Sequence, residues 1–313
     1  MPITPQLSMA LLTFSADERG TWPHILDRAK AADAAGIDRL VVSDHVVYGE
    51  NLEAYGRPEL GGALGGKQPT GPDGHWLEPL TVLSVVAGIT TQIRLGTNIL
   101  IAALRRPVVL AKTLSTLDVL SGGRVDLGVG VGWQKEEYDA AGLDFEGRGR
   151  LLDHSLSVVQ TLWREPRASF KDDRLQFDAI HQNPKPLQPG GVPIWVSGTV
   201  NPRVIKRIAR FGSGWIPWGP SAKDVADAIV QMREGVAATG RDPSDIQVVG
   251  NLAMVKGSDG KVDIDRSLDA VPALVAAGVT DIRAGLNPPD DPKAAQEYYA
   301  NVVGKFRSIV GRK

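Results

Sequence analysis

Three glycines alternate with valines in the segment "GRVDLGVGVGW", which spans positions 123–133. Glycine weakens a strand interior because it packs nothing and costs backbone entropy, so Gly128, Gly130 and Gly132 need a reason. One reason is a flat ligand lying against bare backbone, and the other is crowding between strands inside a closed sheet. A dinucleotide fingerprint matches poorly, because the spacing is G-x-G-x-G rather than G-x-G-x-x-G. The segment therefore predicts either a cofactor wall or a crowded barrel strand.

The absence of cysteine and the spacing of the histidines argue against several kinds of catalysis and metal binding. The chain has no cysteine, which rules out thiolate catalysis, disulfides and cysteine-ligated metal. The histidines outside the tripeptide "SDH" at 43–45 lack the spacing of metal ligands, so we predict no metal site. These histidines are His24, His75, His154 and His181. The formal net charge of −1 gives no reason to expect a nucleic acid as a partner.

Four segments of the chain repeat the order helix, glycine, strand. A glycine just past an apolar, periodic segment is typical of a helix C-terminus. The four glycines are Gly36, Gly212, Gly240 and Gly278. With the remaining apolar runs the chain has about eight strand–helix units, which favours a parallel (β/α)8 TIM barrel as a single domain over residues 1–313. A doubly wound open sheet is the alternative.

Two long segments interrupt this repeat. Residues 48–75 are rich in glycine and follow the second predicted strand. They would lie at the C-terminal ends of the strands, where barrels keep their active sites, so we interpret them as a lid. Residues 166–190 follow a helix before the fifth strand and show a hairpin pattern around Asp172 and Asp173. We interpret this second insertion either as a functional loop or as a surface or dimer decoration.

The chain carries no obvious targeting signal. Its first residues, "MPITPQLSMALLTF", lack the cationic start and long apolar core of a signal peptide. Nor is any apolar run long enough to span a bilayer. We therefore expect a cytoplasmic protein that does not associate with membranes.

The segment "RLGTNILIAALRRPVVLAKTLSTLDVLSGGRVDLGVGVGWQKEEYDAAG" (94–142) closely resembles the bacterial luciferase-like superfamily. The blocks "SDH", "EPLTVLS" (78–84), "VPIWVSG" (192–198) and "RIARFGSGWIP" (207–217) fall where that family has its other blocks. The resemblance thus covers nearly the whole chain. It implies a TIM barrel that uses FMN or the deazaflavin F420, and "LDVLSGGRVDLGVGVGWQKEEY" looks most like the F420-dependent branch.

The resemblance also implies roles for residues at one rim of the barrel. Asp44 would hydrogen-bond the polar edge of the cofactor, and His45 would give or take a proton, since imidazole titrates near neutral pH. A histidine in a polar loop beside an N-cap aspartate is the alternative. Thr97, Asn98 and Ile99 match the strand that in this family holds a non-prolyl cis peptide behind the flavin ring. We place that bond at Asn98–Ile99.

For the cofactor phosphate the resemblance points to the end of the fifth strand. Ser197, Gly198 and Thr199 match that place, and a helix beginning near Pro202 would add free N–H groups and its dipole. An ordinary Ser/Thr helix cap is the alternative. The other cofactor contacts implied by the resemblance are Val131, Gly132, Trp133, Gly214 and Trp215.

Some charged residues have simpler interpretations. Glu78 is predicted to start a helix, and Asp126 to be a buried carboxylate paired with a base such as Arg94. Asn251 and Arg283 lie near the ends of the last two predicted strands and would face the substrate.

The leading functional hypothesis is an F420-dependent oxidoreductase that transfers a hydride between the deazaflavin and a small organic substrate. The resemblance also implies a homodimer. The alternative is an FMN monooxygenase that uses reduced flavin and O2. A third hypothesis is a non-catalytic barrel that carries the cofactor, which predicts little change in turnover when His45 is replaced. Trp133 stands where the family's sugar-phosphate dehydrogenases carry a glutamate, so glucose-6-phosphate is doubtful as substrate.

Overall fold

The computed structural model describes residues 3–17 and 22–312, so both ends of the predicted 1–313 domain lie outside the described part. Its strands, in chain order, are β1 Gln6–Ala10, β2 Phe14–Ser15, β3 Arg39–Val42, β4 His75–Trp76, β5 Arg94–Thr97, β6 Val125–Val129, β7 Ala168–Lys171, β8 Gln176–Ile180, β9 Ile194–Gly198, β10 Gly214–Pro217, β11 Gln247–Leu252 and β12 Asp281–Ala284. Its helices are α1 Pro23–Ala35, α2 Pro79–Ile89, α3 Pro107–Leu120, α4 Lys135–Ala140, α5 Arg148–Arg164, α6 Pro202–Phe211, α7 Pro220–Lys223, α8 Val225–Ala237, α9 Ile264–Leu268, α10 Val271–Ala276 and α11 Pro292–Ile309.

Eight parallel strands close into a barrel in the order β1-β12-β11-β10-β9-β6-β5-β3. The first strand closes the ring, because Met9 pairs with Leu40 of β3 on one side and with Ala284 of β12 on the other. The outward side chains of the strands pack against the surrounding helices in one continuous apolar core. The prediction of a TIM barrel is confirmed, and the open-sheet alternative is excluded.

Local chemistry explains several helix boundaries. The side chain of Glu78 caps α2 by accepting a 2.7 Å hydrogen bond from the N–H of Thr81, as predicted. Gly36 ends α1 with φ of 83°, a left-handed conformation in which any other residue would be strained. Gly212 differs from its prediction: it has φ of −79° and ψ of 128°, because the chain turns directly into β10 in an extended conformation.

The lower part of the barrel interior is charged rather than apolar. Asp126 accepts hydrogen bonds from Arg94 Nε and Nη2 at 2.7 Å and from Arg39 Nε at 2.8 Å. Arg39 also donates to Asp281 and lies 4.5 Å from the centre of the Trp195 ring. The predicted pairing of Asp126 with Arg94 is confirmed. These guanidinium groups hold the pKa of the fully buried Asp126 carboxyl below its usual value, despite the opposing effect of burial.

Both predicted insertions are present. Residues 48–75 form two short 3-10 helices, Leu52–Gly56 and Pro58–Leu60, and lead into β4, which pairs antiparallel with β2. The second insertion holds the antiparallel hairpin of β7 and β8, with the turn at Asp172 and Asp173 as predicted. Within the described part of the chain, no helix has the length and apolar composition needed to cross a bilayer.

Candidate active site

A cavity of about 490 Å³ opens at the C-terminal ends of the barrel strands. Ile99, Ile216 and Val249 pack together inside the barrel and line this cavity. The insertion after β3 and the loops after β5, β6, β9 and β10 form its walls. Among the predicted site residues, those that line it are Asp44, His45, Asn98, Ile99, Val131, Gly132, Trp133, Ser197, Gly198 and Thr199.

His45 lies on this wall and is held by a buried carboxylate. Its Nδ1 atom is 3.2 Å from Oε2 of Glu137, whose side chain is fully buried. The other carboxylate oxygen, Oε1, accepts a 2.8 Å hydrogen bond from the N–H of Val46. A carboxylate only accepts hydrogen bonds, so Nδ1 is the donor in this pair and Nε2 is the nitrogen left for a ligand. This arrangement fixes both the ring orientation and the tautomer of His45.

Aromatic rings enclose the imidazole of His45. Its ring centre is 4.4 Å from that of Tyr48, 4.8 Å from that of Trp76 and 5.8 Å from that of Trp133. Trp76 is in turn stacked on Phe14, with ring centres 4.2 Å apart. Burial raises the pKa of the Tyr48 phenol, so this group stays neutral and protonated. The environment of His45 is therefore mainly apolar, with the Glu137 carboxylate as its hydrogen-bond partner.

Asp44 lines the cavity, but its carboxylate is already paired. Both oxygens accept hydrogen bonds from Arg105, and Oδ2 also accepts a 2.8 Å bond from the N–H of Ile101. Burial raises the pKa of Asp44, and the Arg105 guanidinium offsets part of that rise. Arg105 is also 3.1 Å from Oε1 of Glu78. The carboxylate thus ties the loop after β3 to the loop after β5, while a cofactor contact by Asp44 stays a prediction.

The loop after β5 has the predicted backbone. The peptide bond between Asn98 and Ile99 is cis, and both residues line the cavity. Thr97 is a correction to the predicted site: its side chain is buried and its hydroxyl donates a 2.7 Å hydrogen bond to the carbonyl of Gly128. Because the pleat of β5 turns Thr97 toward β6, it does not reach the cavity wall.

The glycines of the opening segment have two different roles. A Cβ atom on Gly128 would overlap the carbonyl oxygen of Thr97, so this glycine relieves crowding between β5 and β6. A Cβ on Gly130 would lie 2.8 Å from Cδ1 of Ile99, at the cavity wall. Gly132 also lines the cavity. Crowding therefore explains Gly128 and also Gly130, whose Cβ would overlap the Ile99 side chain, while Gly132 has a φ of 69° that favours glycine.

The end of β9 offers polar groups to the cavity. Ser197, Gly198 and Thr199 lie there, followed by α6. Asn201 caps this helix by accepting hydrogen bonds from the N–H groups of Arg203 and Val204 at 3.0 and 3.1 Å. The predicted free N–H groups are therefore not available, because Pro202 has none and Asn201 accepts the next two; the helix adds only the positive partial charge of its N-terminus to the hydroxyl groups.

The predicted contacts of Gly214 and Trp215 are corrected by the structure. Gly214 begins β10, and Trp215 is completely buried with its Nε1 donating to the carbonyl of Gly198 at 3.0 Å. Neither residue lines the cavity: Gly214 is at the start of the strand, and the side chain of Trp215 packs in the outer core, on the opposite face from Ile216, which lines the cavity. Pro217 and Trp218, which follow along the chain at the end of β10, line the cavity instead.

Hydrogen bonds connect the insertion after β3 to residues on other loops around the mouth of the cavity. Trp218 Nε1 lies 3.1 Å from the carbonyl oxygens of both Gly61 and Gly62. Arg148 Nη2 donates a 3.0 Å hydrogen bond to the carbonyl of Leu60. Residues 48–75 thus lie over the cavity in a closed position, which supports their interpretation as a lid.

Several site residues escaped the sequence analysis. Glu137 lies in "QKEEY" and has the pattern of an exposed helical acid, so nothing in the sequence separates it from its neighbour Glu136. The aromatic wall residues Tyr55, Trp76 and Trp218 lie in a 3-10 helix, in the two-residue strand β4 and after β10, where the sequence shows no periodicity. Arg207 also lines the cavity, and its place in α6, the helix that follows the predicted phosphate segment, was the signal available for it.

A family model described as luciferase-like monooxygenase matches residues 6–262 of the chain. The chain belongs to this family. It is thus a luciferase-like oxidoreductase, and the sequence resemblance is confirmed.

Two relatives and one solved structure show the range of this luciferase-like group. An uncharacterized protein of Mycobacterium tuberculosis is 31% identical over 235 residues, covering 74% of this chain and 79% of its own. The F420-dependent glucose-6-phosphate dehydrogenase of Kineococcus radiotolerans is 29% identical over 255 residues, covering 80% of this chain and 65% of its own. Monooxygenase RslO1 from Streptomyces bottropensis has the same fold, with a TM-score of 0.74 at 19% identity, covering 96% of this chain and 99% of its own.

The residues of the luciferase-like cavity fit a deazaflavin or flavin. A planar ring needs a concave, mainly apolar site with few well-placed polar groups. Tyr55, Trp133 and Trp218 supply the apolar walls, and Gly130 and Gly132 also line the cavity. The hydroxyl groups and helix end beside β9 are suited to a phosphate.

Proposed function

We propose that this protein is an F420-dependent oxidoreductase that transfers a hydride between F420 and a small organic substrate. The observation that carries the proposal is the His45–Glu137 pair on the wall of an aromatic cavity large enough for a planar ring. Support for the cofactor comes from the F420-dependent relative and from the F420-like wording of residues 117–138.

Specific residues would hold the cofactor. Ile99 and Val131 would pack against the ring, and Ser197 and Thr199, with the N-terminus of α6, would bind the phosphate. F420, when bound, supplies a ring carbon that accepts or gives a hydride. The protein's own contribution is position, electrostatics and the exclusion of water.

His45 would handle the proton that accompanies the hydride. In the neutral imidazole that donates through Nδ1 to Glu137, Nε2 is the acceptor nitrogen, so it would take a proton when an alcohol is oxidised and return it in the reverse direction. The Glu137 carboxylate stabilises the imidazolium that results, because the two charges lie within hydrogen-bond distance. The surrounding rings of Tyr48, Trp76 and Trp133 keep bulk water away from this proton.

A second candidate is an FMN monooxygenase. It is favoured by the family description, luciferase-like monooxygenase, and uses the same cavity and phosphate site. The protein residues would then protect a reduced flavin from water while it reacts with O2. The two functions differ in the cofactor that the protein selects, not in the fold.

Titration of cofactor-free protein with F420 and with FMN separates the two candidates. We expect F420 to bind at least tenfold more tightly than FMN, followed by substrate-dependent bleaching of the F420 absorbance in a screen of alcohols and carbonyl compounds. Tighter binding of FMN, with O2 consumption on addition of reduced flavin, would replace the proposal with the monooxygenase. Binding of neither cofactor would overturn both.

A further inference from the structure

Arg283 is a buried cation without a carboxylate of its own. It lies on β12, lines the cavity and is only 8% exposed. Its Nε donates to the hydroxyl of Ser8 at 3.1 Å, and its Nη2 reaches Oδ1 of Asp281 only at 3.5 Å. Its Nη1 is buried without a hydrogen-bond partner among the described residues. A buried donor left unpaired is costly, so this atom points to a missing acceptor.

The carboxylates near Arg283 already accept hydrogen bonds from other arginines. Asp281 accepts from Arg39, and Asp126 accepts from Arg39 and Arg94. Burial and the neighbouring Arg39 lower the pKa of Arg283 to about 9, and the Asp126 carboxylate opposes this shift only in part. One guanidinium without its own carboxylate matches a ligand that brings a single negative charge.

The position of Arg283 places it on the substrate side of the site. Asn251 pairs with Arg283 in register across β11 and β12, and it lies exposed in the same cavity. In the closed barrel, β1 lies between β12 and β3, and His45 follows the end of β3. The proposed phosphate residues of β9 are three strands away in the other direction, beyond β11 and β10.

We propose that Arg283 and Asn251 form a subsite for the carboxylate of the substrate, which makes the substrate a small organic acid. The identity of this ligand as substrate rests on the proposed function, whereas the anion site itself does not. A carboxylate suits both groups, because a guanidinium binds it through planar paired hydrogen bonds and an amide N–H adds a third. The reacting carbon of the acid would then lie between this subsite and His45.

A pair of probes of equal shape tests the subsite. Benzoate carries the charge, and benzamide is its neutral isostere; both suit a cavity lined by aromatic rings. In calorimetric titration of the cofactor-free protein we expect benzoate to bind about ten- to a hundredfold more tightly than benzamide, as for hydrogen bonds to a charged group. Arg283→Gln should reduce this preference to about onefold. Arg57→Gln removes an exposed arginine of the lid and should leave the preference unchanged.

Further measurements keep the test decisive. Asn251 lies outside the ion-pair network, so Asn251→Leu should fold normally and lower benzoate affinity severalfold even if Arg283→Gln does not fold. A preference for benzoate that is absent in the wild type or survives in folded Arg283→Gln, or a benzoate affinity that is unchanged in Asn251→Leu, would overturn the subsite. F420 titration of the same variants is read separately: wild-type protein that prefers benzoate but binds no F420 refutes the proposed function and leaves the subsite standing.

Discussion

Nδ1 of His45 lies 3.2 Å from Oε2 of Glu137, although the two residues are 92 positions apart in the chain. One follows β3 and the other lies in α4, after β6, so the pair exists only because the barrel brings both loops to the same rim. It joins a titratable ring on the cavity wall to a fully buried carboxylate. This is an arrangement suited to proton transfer rather than to stability alone.

The first prediction concerns His45 itself. His45→Ala should lower kcat about a hundredfold or more, because general acid–base catalysis contributes at least that much. F420 affinity should change little, since the residue is proposed to act on the proton. Steady-state kinetics and fluorescence titration measure the two effects. A fourfold or smaller loss of turnover would support the non-catalytic barrel instead.

Glu137→Gln should lower kcat about ten- to a hundredfold, corresponding to one charge-assisted hydrogen bond. KM and F420 affinity should stay within about twofold, because the residue touches the imidazole and not the ligands. Glu136→Gln removes the same charge from the neighbouring position of α4 and serves as the control. Equal effects of the two substitutions would contradict a positioning role for Glu137.

Asp44→Asn should destabilise the fold by about 1–3 kcal/mol, because it leaves the Arg105 guanidinium without its buried partner. The loss is limited, since Glu78 remains beside Arg105. Glu78→Gln removes the exposed partner and should cost about 1 kcal/mol or less. Urea denaturation at pH 7 gives both values, and the reverse order would show that Asp44 is not the anchor of this loop.

Asp33 should contribute to stability in a pH-dependent way. Its carboxylate accepts hydrogen bonds from the N–H groups of Thr91, Gln92 and Ile93 at 2.7–2.8 Å, and these bonds lower its pKa despite the opposing effect of burial. A lowered pKa in the folded state means that the contribution is complete above the unfolded pKa of about 3.9 and is lost as pH falls below it.

Asp33→Asn should therefore cost about 2 kcal/mol at pH 7, and the difference from wild type should shrink as the pH falls below about 4. Urea denaturation across this pH range measures the effect. Asp173→Asn, at an exposed position of the hairpin turn, should show no such trend. A difference that is constant with pH would mean that the charge of Asp33 is not what stabilises the α2–β5 connection.

Gly128→Ala should destabilise the protein by about 3 kcal/mol or more, because the new Cβ would overlap the backbone oxygen of Thr97. Gly88→Ala in α2 meets nothing within 4 Å and should instead stabilise by about 0.5–1 kcal/mol. Thermal unfolding of both variants checks the contrast. A folded Gly128→Ala protein of wild-type stability would show that β5 can move away from β6.

Local patterns in the sequence were sufficient to predict the barrel architecture. Helix periodicity, capping residues such as Glu78 and the glycine after α1 depend on neighbours a few positions away, and a repeating strand–helix order has few ways to bury its strands. The rim segments at Asp44–His45, Asn98–Ile99 and Ser197–Thr199 followed from their place at strand ends together with the family resemblance. The predicted homodimer stays a prediction.

Tertiary structure alone decided which of those residues face the cavity and which are used by the protein itself. A residue at a strand end turns inward or sideways according to the pleat and register of its strand, which is why Thr97 and Trp215 are buried while Trp218 lines the cavity. Partners far apart in sequence, such as Glu137 for His45 and Arg105 for Asp44, depend on barrel closure. No local pattern encodes those distances.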